Sequence, residues 1–323
     1  MKRRQLALAA TALAALTLAA PALRAQDKPP IKILVGFPPG GSADVVARVV
    51  ADKMRVSLGQ NVIVDNKPGA GGRVVLGELK RAAPDGQVLV FSPSGALVIQ
   101  PWLFKNLGYD PARDFTPIAQ ASTFDFALTV GPGAPAGTDV KGLFAWMKAN
   151  PGKANYATSG AGTVPHFAGQ LIGQAAGVPM THVAYKGGAP AAQDLMGGQV
   201  PLMVDTASET IEQHKAGKVR IIAVTGEARS KSLPDVPTLR ELGYNVQADA
   251  FFGLYGPAGM APELASRLSR AVADALRQPD VQEKIYGFGL VPAYATSEQL
   301  AAIQAAHYKR WEEPIKASGF KAE

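Results

Sequence analysis

The stretch Ile31-Lys32-Ile33-Leu34-Val35-Gly36-Phe37-Pro38-Pro39-Gly40-Gly41-Ser42-Ala43-Asp44 decides the fold. Its opening run of aliphatic and β-branched residues predicts a short buried strand, and the prolines and glycines that follow end it. From residue 43 to about 57, Val45, Val46, Val49, Val50 and Met54 recur near helical spacing. Strand, glycine-rich turn and helix form the repeating unit of an α/β protein. The turn also carries chemistry. Gly40 and Gly41 have no Cβ to shield their backbone N–H groups, and Ser42 suits a helix cap. A helix start offers unpaired N–H groups and the positive end of a dipole, which together favour an anion. Asp44 falls in the first helical turn, where a carboxylate complements the dipole and braces the loop; direct contact would repel an anionic ligand.

Outward from this unit the alternation continues. Strands are predicted at 61–64 and 88–92, with a helix at 73–83 between them. The pattern restarts near Phe126: strands at 127–130, 155–158 and 181–185 alternate with helices at 140–149, 164–176 and 189–196. Further strands are expected at 202–205, 219–225 and 251–255, and helices at 263–276 and 297–316. This order predicts a mainly parallel sheet covered on both faces, divided into two similar lobes. Residues 26–125 build the first lobe, 126–248 the second, and 249–323 return to the first. Linkers are expected at 115–125 and 246–251, and two crossings make a hinge that suits closure around a ligand.

The composition, 47% hydrophobic and 18% charged over 323 residues, is that of a folded globular chain. Residues 1–25 have the layout of a secretory signal peptide: Lys2, Arg3 and Arg4, an apolar run to Ala20, then small residues with cleavage between Ala22 and Ala25. Arg3-Arg4 leaves both the general and the twin-arginine export routes open. Loss of Lys2, Arg3, Arg4 and Arg24 with the leader takes the formal charge from +7 to +3. No remaining stretch concentrates Lys and Arg among aromatics, so no nucleic-acid partner is expected. The absence of cysteine removes thiol catalysis and thiolate metal sites.

Two more glycine-rich turns follow strands, where open α/β sheets bind ligands. Thr158-Ser159-Gly160-Ala161-Gly162-Thr163 supplies three hydroxyls ahead of Val164-Pro165-His166. His166 suits either a ligand contact or a cap on its own loop. Lys186-Gly187-Gly188 supplies a cation that either attracts a carboxylate or is merely solvated. Residues 66–72 form a further loop, Ser92 and Ser94 end a strand, and Asp205 ends another, either meeting a ligand or capping the next turn. The candidate ligand-binding set is Phe37, Pro39, Gly40, Gly41, Ser42, Ser92, Thr158, Ser159, Gly160, Gly162, Thr163, His166, Lys186 and Asp205. Catalytic motifs are missing: no G-x-S-x-G, H-E-x-x-H or phosphate loop occurs, and His166, His182, His214 and His307 lack metal-ligand spacing. No metal, no cofactor and no enzymatic activity are expected. Ser159 and His166 in one loop are the sole basis for an exported hydrolase or isomerase.

These residues together resemble the Bug family, the periplasmic receptors of tripartite tricarboxylate transporters. Phe37-Pro38-Pro39-Gly40-Gly41 with Asp44 and Arg48 resembles its first loop. Asp65 to Gly72, Tyr156 to His166, His182 to Gly187, Asp194 to Val200, Leu233 to Thr238 with Glu241 and Gly243, and Gly256 to Gly259 continue the likeness in order. One departure is Ala184, where the family often has proline. The resemblance implies a two-lobed type II periplasmic-binding-protein fold. It also implies a ligand carboxylate held between Phe37, Gly40, Gly41 and Ser42 of one lobe and Thr158, Ser159, Gly162 and Thr163 of the other. Ligands of the family include dicarboxylates, tricarboxylates, acidic amino acids and aromatic carboxylates. The implied partners are membrane permease subunits driven by an ion gradient, and a monomer is expected. The same fold also serves an orphan sensor that feeds a signalling receptor.

Overall fold

The computed structural model describes residues 28–320; the expected leader, residues 1–25, lies outside them. Strand β1 (Ile31–Val35) runs parallel between β2 (Val62–Asn66) and β3 (Val88–Pro93). Helix α1 (Ser42–Leu58) follows β1 because Val46, Val50 and Met54 recur on one face and are buried against it. It stops at Gly59, whose left-handed φ of 60° closes the last turn. The first lobe adds α2 (Arg73–Leu79) and two one-turn helices, α3 (Gly95–Val98) and α4 (Gln100–Leu103).

The lobes are joined through strand β4 (Phe115–Val130), 16 residues long. The second lobe contains α5 (Val140–Ala149), β5 (Asn155–Thr158), α6 (Val164–Ala176), β6 (Thr181–Ala184), α7 (Gly188–Met196), β7 (Leu202–Thr206), α8 (Ile211–Lys215) and β8 (Arg220–Val224). The chain returns through β9 (Asp249–Pro257) and closes with α9 (Pro262–Leu276), α10 (Pro279–Gly287), β10 (Val291–Ala295), α11 (Ser297–Arg310) and α12 (Glu312–Ser318). From Phe115 to Asp125, β4 pairs antiparallel with β9; from Phe126 onward it pairs with β7 and β8. In the second lobe β5 lies parallel between β7 and β6.

The sheet is therefore mixed, where the alternation predicts a mainly parallel one. The two segments expected as linkers account for much of the difference. Both crossings are strands that run in opposite directions, so they satisfy their backbone hydrogen bonds on each other and on their neighbours while passing between lobes. The tail helix predicted over 297–316 is divided at Trp311, because Pro314 has no N–H to offer the carbonyl of Arg310. Phe124, Phe126, Phe251 and Phe252 are buried along the strands that carry the chain across, and Phe91 of β3 stacks on Phe252. Among the described residues no helix is long and apolar enough to span a membrane.

Candidate functional site

The first loop is braced from behind. Asp44 accepts the N–H of Gly40 at 2.9 Å and the Nε of Arg48 at 2.9 Å. Arg48 donates onward to Asn66 Oδ1 at 2.9 Å, and Asn66 Nδ2 donates to the carbonyl of Phe37 at 3.1 Å. Burial pushes the Asp44 carboxyl upward, but the Arg48 guanidinium and the Gly40 N–H outweigh it and hold it below the ordinary carboxylate range. Asp44 is thus spent on loop geometry. Its work leaves the first turn of α1 uncapped by any side chain of its own, with Gly41 in extended conformation ahead of it.

The loop between β5 and α6 has its own frame. Thr163 Oγ1 donates to the carbonyl of Gly160 at 2.6 Å, and Thr158 Oγ1 lies 2.7 Å from His182 Nε2. Asp205, only 4% exposed, accepts the N–H of Ser159 at 2.5 Å and that of Thr206 at 2.9 Å. His166 Nδ1 accepts the N–H of Gly162 at 3.3 Å, and its Nε2 lies 3.3 Å from Gln170 Nε2. The His166 ring stacks on His182 with centroids 3.9 Å apart. Both ring nitrogens of His166 are therefore engaged away from Ser159. The pair that motivated a hydrolase is not arranged as nucleophile and base.

Burial holds His166 down to about 4, and burial with the neighbouring His166 charge holds His182 down to about 3. Each folded value lies below the ordinary 6.5, so the unfolded chain takes up these protons first. The stability they support is full above the ordinary value and is lost as pH falls from there toward the folded values. The wild-type melting temperature is expected to fall further between about pH 7 and about pH 5 than that of a His182→Gln variant. Equal falls in thermal melts of the two proteins would contradict this.

Between the lobes lies a cavity of about 600 Å³, open solvent at its mouth included. Phe37, Phe124, Phe126 and Phe252 give it apolar walls. Three helix starts reach it: Ser42 and Ala43 of α1, Val164 and Pro165 of α6, and Gly188 and Ala189 of α7. None of the three is capped by the side chain of the residue before it. Phe37, Gly41, Ser42, Ser159, Thr163 and Asp205 of the sequence-derived set line this cavity. Gly160 and Lys186 line an adjoining crevice, which Phe37 and Ser159 share. Thr158, Gly162 and His166 stand behind the second loop, Ser92 is buried with its hydroxyl on the carbonyl of Pro93, and Pro39 and Gly40 face outward.

One wall residue is invisible to the sequence reading. Glu209 lies at the end of a turn after β7, four residues beyond Asp205. Its Oε1 accepts the N–H of Ser42 at 3.1 Å and the Ser42 hydroxyl at 3.2 Å. Thr206 Oγ1 in turn donates to that hydroxyl at 3.3 Å. A carboxyl of the second lobe thus occupies the helix start of the first. Burial raises the pKa of both acids, and the charge of Asp205 raises that of Glu209 further. Among the described residues, no lysine, arginine or histidine lines the cavity.

Two lobes joined by paired crossing strands, with helix starts converging on the space between them, define a solute-binding receptor of the two-lobed periplasmic type. The chain belongs to the tripartite tricarboxylate transporter receptor family, whose model matches residues 46–320. It is similar to the periplasmic binding protein BugD, at 34% identity and a TM-score of 0.86, covering 91% of this chain and 99% of that one. It is also similar to MatC from Rhodopseudomonas palustris, solved with bound malate, at 30% identity and a TM-score of 0.82 over 88% of this chain and 98% of that one. A third likeness is to an R. palustris protein solved with adipate, at 28% identity and a TM-score of 0.86 over 90% and 97% of the two chains.

Proposed function

We propose that this chain is an exported periplasmic receptor that encloses one small carboxylate-bearing ligand between its lobes and delivers it to the permease subunits of an ion-gradient-driven tripartite transporter. The observation that carries the proposal is the convergence of three helix starts, none capped by the residue before it, on one apolar-walled cavity. Their dipoles, and the N–H groups that Glu209 does not take, offer an anion site without a lysine or arginine. The malate and adipate in the two relatives support a carboxylate as the anion. In this reading Phe37, Gly41, Ser42, Ser159 and Thr163 face the ligand. Thr158, Gly162 and His166 hold the second loop in shape. Gly160 and Lys186 border the mouth.

Protein stripped of ligand by unfolding and refolding is expected to bind at least one member of a chemically diverse carboxylate panel with a Kd of about 1 μM or tighter, without turnover. Calorimetry checks the binding, and analysis of the recovered ligand checks for turnover. Uniform absence of heat across the panel would refute the carboxylate reading.

A further inference from the structure

We infer that Glu209 takes one of the cleft's anion seats for the protein itself, so that the receptor selects a zwitterion with a single carboxylate and a cationic nitrogen, and rejects dicarboxylates. This rests on the carboxylate-receptor reading and deepens it.

The seat concerned is the first turn of α1. Its leading N–H, that of Ser42, already donates to Glu209, and so does the Ser42 hydroxyl. The glutamate is held there firmly. A Cβ added at Gly188 would overlap its carboxyl, and one at Gly41 would lie 3.4 Å from its Oε1. The two glycines, one from each lobe, leave the room that the side chain fills. Because Gly188 opens α7, the glutamate stands against that start too, and the start of α6 remains for the ligand's own carboxylate.

Charge balance then fixes the far end of the ligand. Asp205 and Glu209 bring two carboxyl groups to a cavity that, among the described residues, no basic side chain lines. Asp205 is already satisfied by two N–H donors. Placing a second ligand carboxylate beside Glu209 sets like charges together in a poorly solvated space, which disfavours binding. A cationic nitrogen placed there gains a charge-assisted bond, and the phenyl walls suit the rest of an apolar body. Burial and the charge of Asp205 disfavour the ionised form of Glu209 in the empty cleft, so an arriving cation also relieves a strained charge.

The test uses ligand-stripped protein at about pH 8 and probes that share a body. One series is ε-aminohexanoate, hexanoate and adipate; the other is phenylalanine, hydrocinnamate and benzylmalonate. In each, the same carbon skeleton bears an ammonium, nothing, or a second carboxylate. In at least one series the wild type is expected to bind the zwitterion at least ~10-fold more tightly than the dicarboxylate. Glu209→Ser, which frees the α1 start, is expected to reverse that order. Glu209→Gln, which keeps the shape and removes the charge, is expected to flatten it. Thermal melts establish that each variant is folded. Dicarboxylates that bind the wild type as tightly as their zwitterions in both series would overturn the inference and leave the carboxylate reading standing, as would an order that Glu209→Ser leaves unchanged. Failure of every probe to bind any of the three proteins would overturn both.

Discussion

A Gly95→Leu protein is expected to fold normally and to lose up to ~100-fold in affinity for any carboxylate the wild type binds. Gly95 opens α3 just beyond the end of β3, where the first lobe packs against the start of α6 in the second. A Cβ added there would lie 3.2 Å from the N atom of Val164 and 3.5 Å from the Cα of Thr163, at the start of α6. Its φ is not in the left-handed region, so a side chain costs no backbone strain. Leucine is also the better helix former. With the lobes apart the new side chain has room; with the lobes together it meets backbone that cannot give. Overpacking of this kind costs up to about 3 kcal/mol, and about 1.4 kcal/mol is tenfold in affinity. The neighbouring contact of Gly187 with Pro38 Cδ, at 2.5 Å from an added Cβ, would wedge the cleft too. There φ is +115°, so a substitution would mix strain with blockage. Calorimetry reads the affinity, a thermal melt reads the fold, and small-angle scattering reads closure. The wild type should contract with ligand and the variant should not. Unchanged affinity would mean that these lobes do not need to meet.

What the sequence makes legible is local. The strand-turn-helix units appear because buried strands and amphipathic helices have distinct periods, and Gly40-Gly41 marks a turn whose neighbours must expose backbone. The crossing strand β4 is read as a linker over 115–125 because its alternation is broken. The pairing with β9 slips between Pro117 and Ala119 and again between Gln120 and Ser122, so inward and outward residues stop alternating. The mixed character of the sheet follows from that crossing and is equally hidden.

The site divides the same way. The loops announce themselves through glycine, serine and threonine, but the side chains that shape them act across long separations. Glu209 meets Ser42 across 167 residues, and nothing in its neighbourhood signals that partner. The spacing of Asp205 and Glu209 beyond one strand end is the single local hint. His166 is equally compatible with a ligand and with its own loop until His182 and Phe320 are packed against its ring. Asp44 is the opposite case. Its partners Gly40 and Arg48 lie within four residues, so its bracing role is readable from the helix start alone.

Asp205→Asn is the second change with a large expected effect, because one buried carboxyl holds two elements together. Its oxygens accept the N–H groups of Ser159 and Thr206 at 2.5 and 2.9 Å, fastening the second ligand loop to the end of β7. Asparagine presents one oxygen and one NH₂ group, so one of the two N–H donors faces another donor. An unsatisfied buried donor costs about 1–3 kcal/mol. The loop that loosens is the cleft wall carrying Ser159 and Thr163, so ligand affinity is expected to fall by ~10-fold or more along with stability. The pH dependence distinguishes this from a general packing defect. Burial raises the Asp205 pKa above its unfolded value of 3.8, so the folded wild type binds that proton more readily than the unfolded chain. Its contribution is greatest at low pH and is lost as pH rises through the folded value. Removing the Asp205 charge also relieves Glu209, whose ionisation it opposes. Both effects act in one direction: the stability penalty of Asp205→Asn should shrink as pH rises from about 5 to about 8. Urea titrations of both proteins across that range check it, and a penalty that grows with pH would show that the ionised carboxylate is the favoured form in the fold.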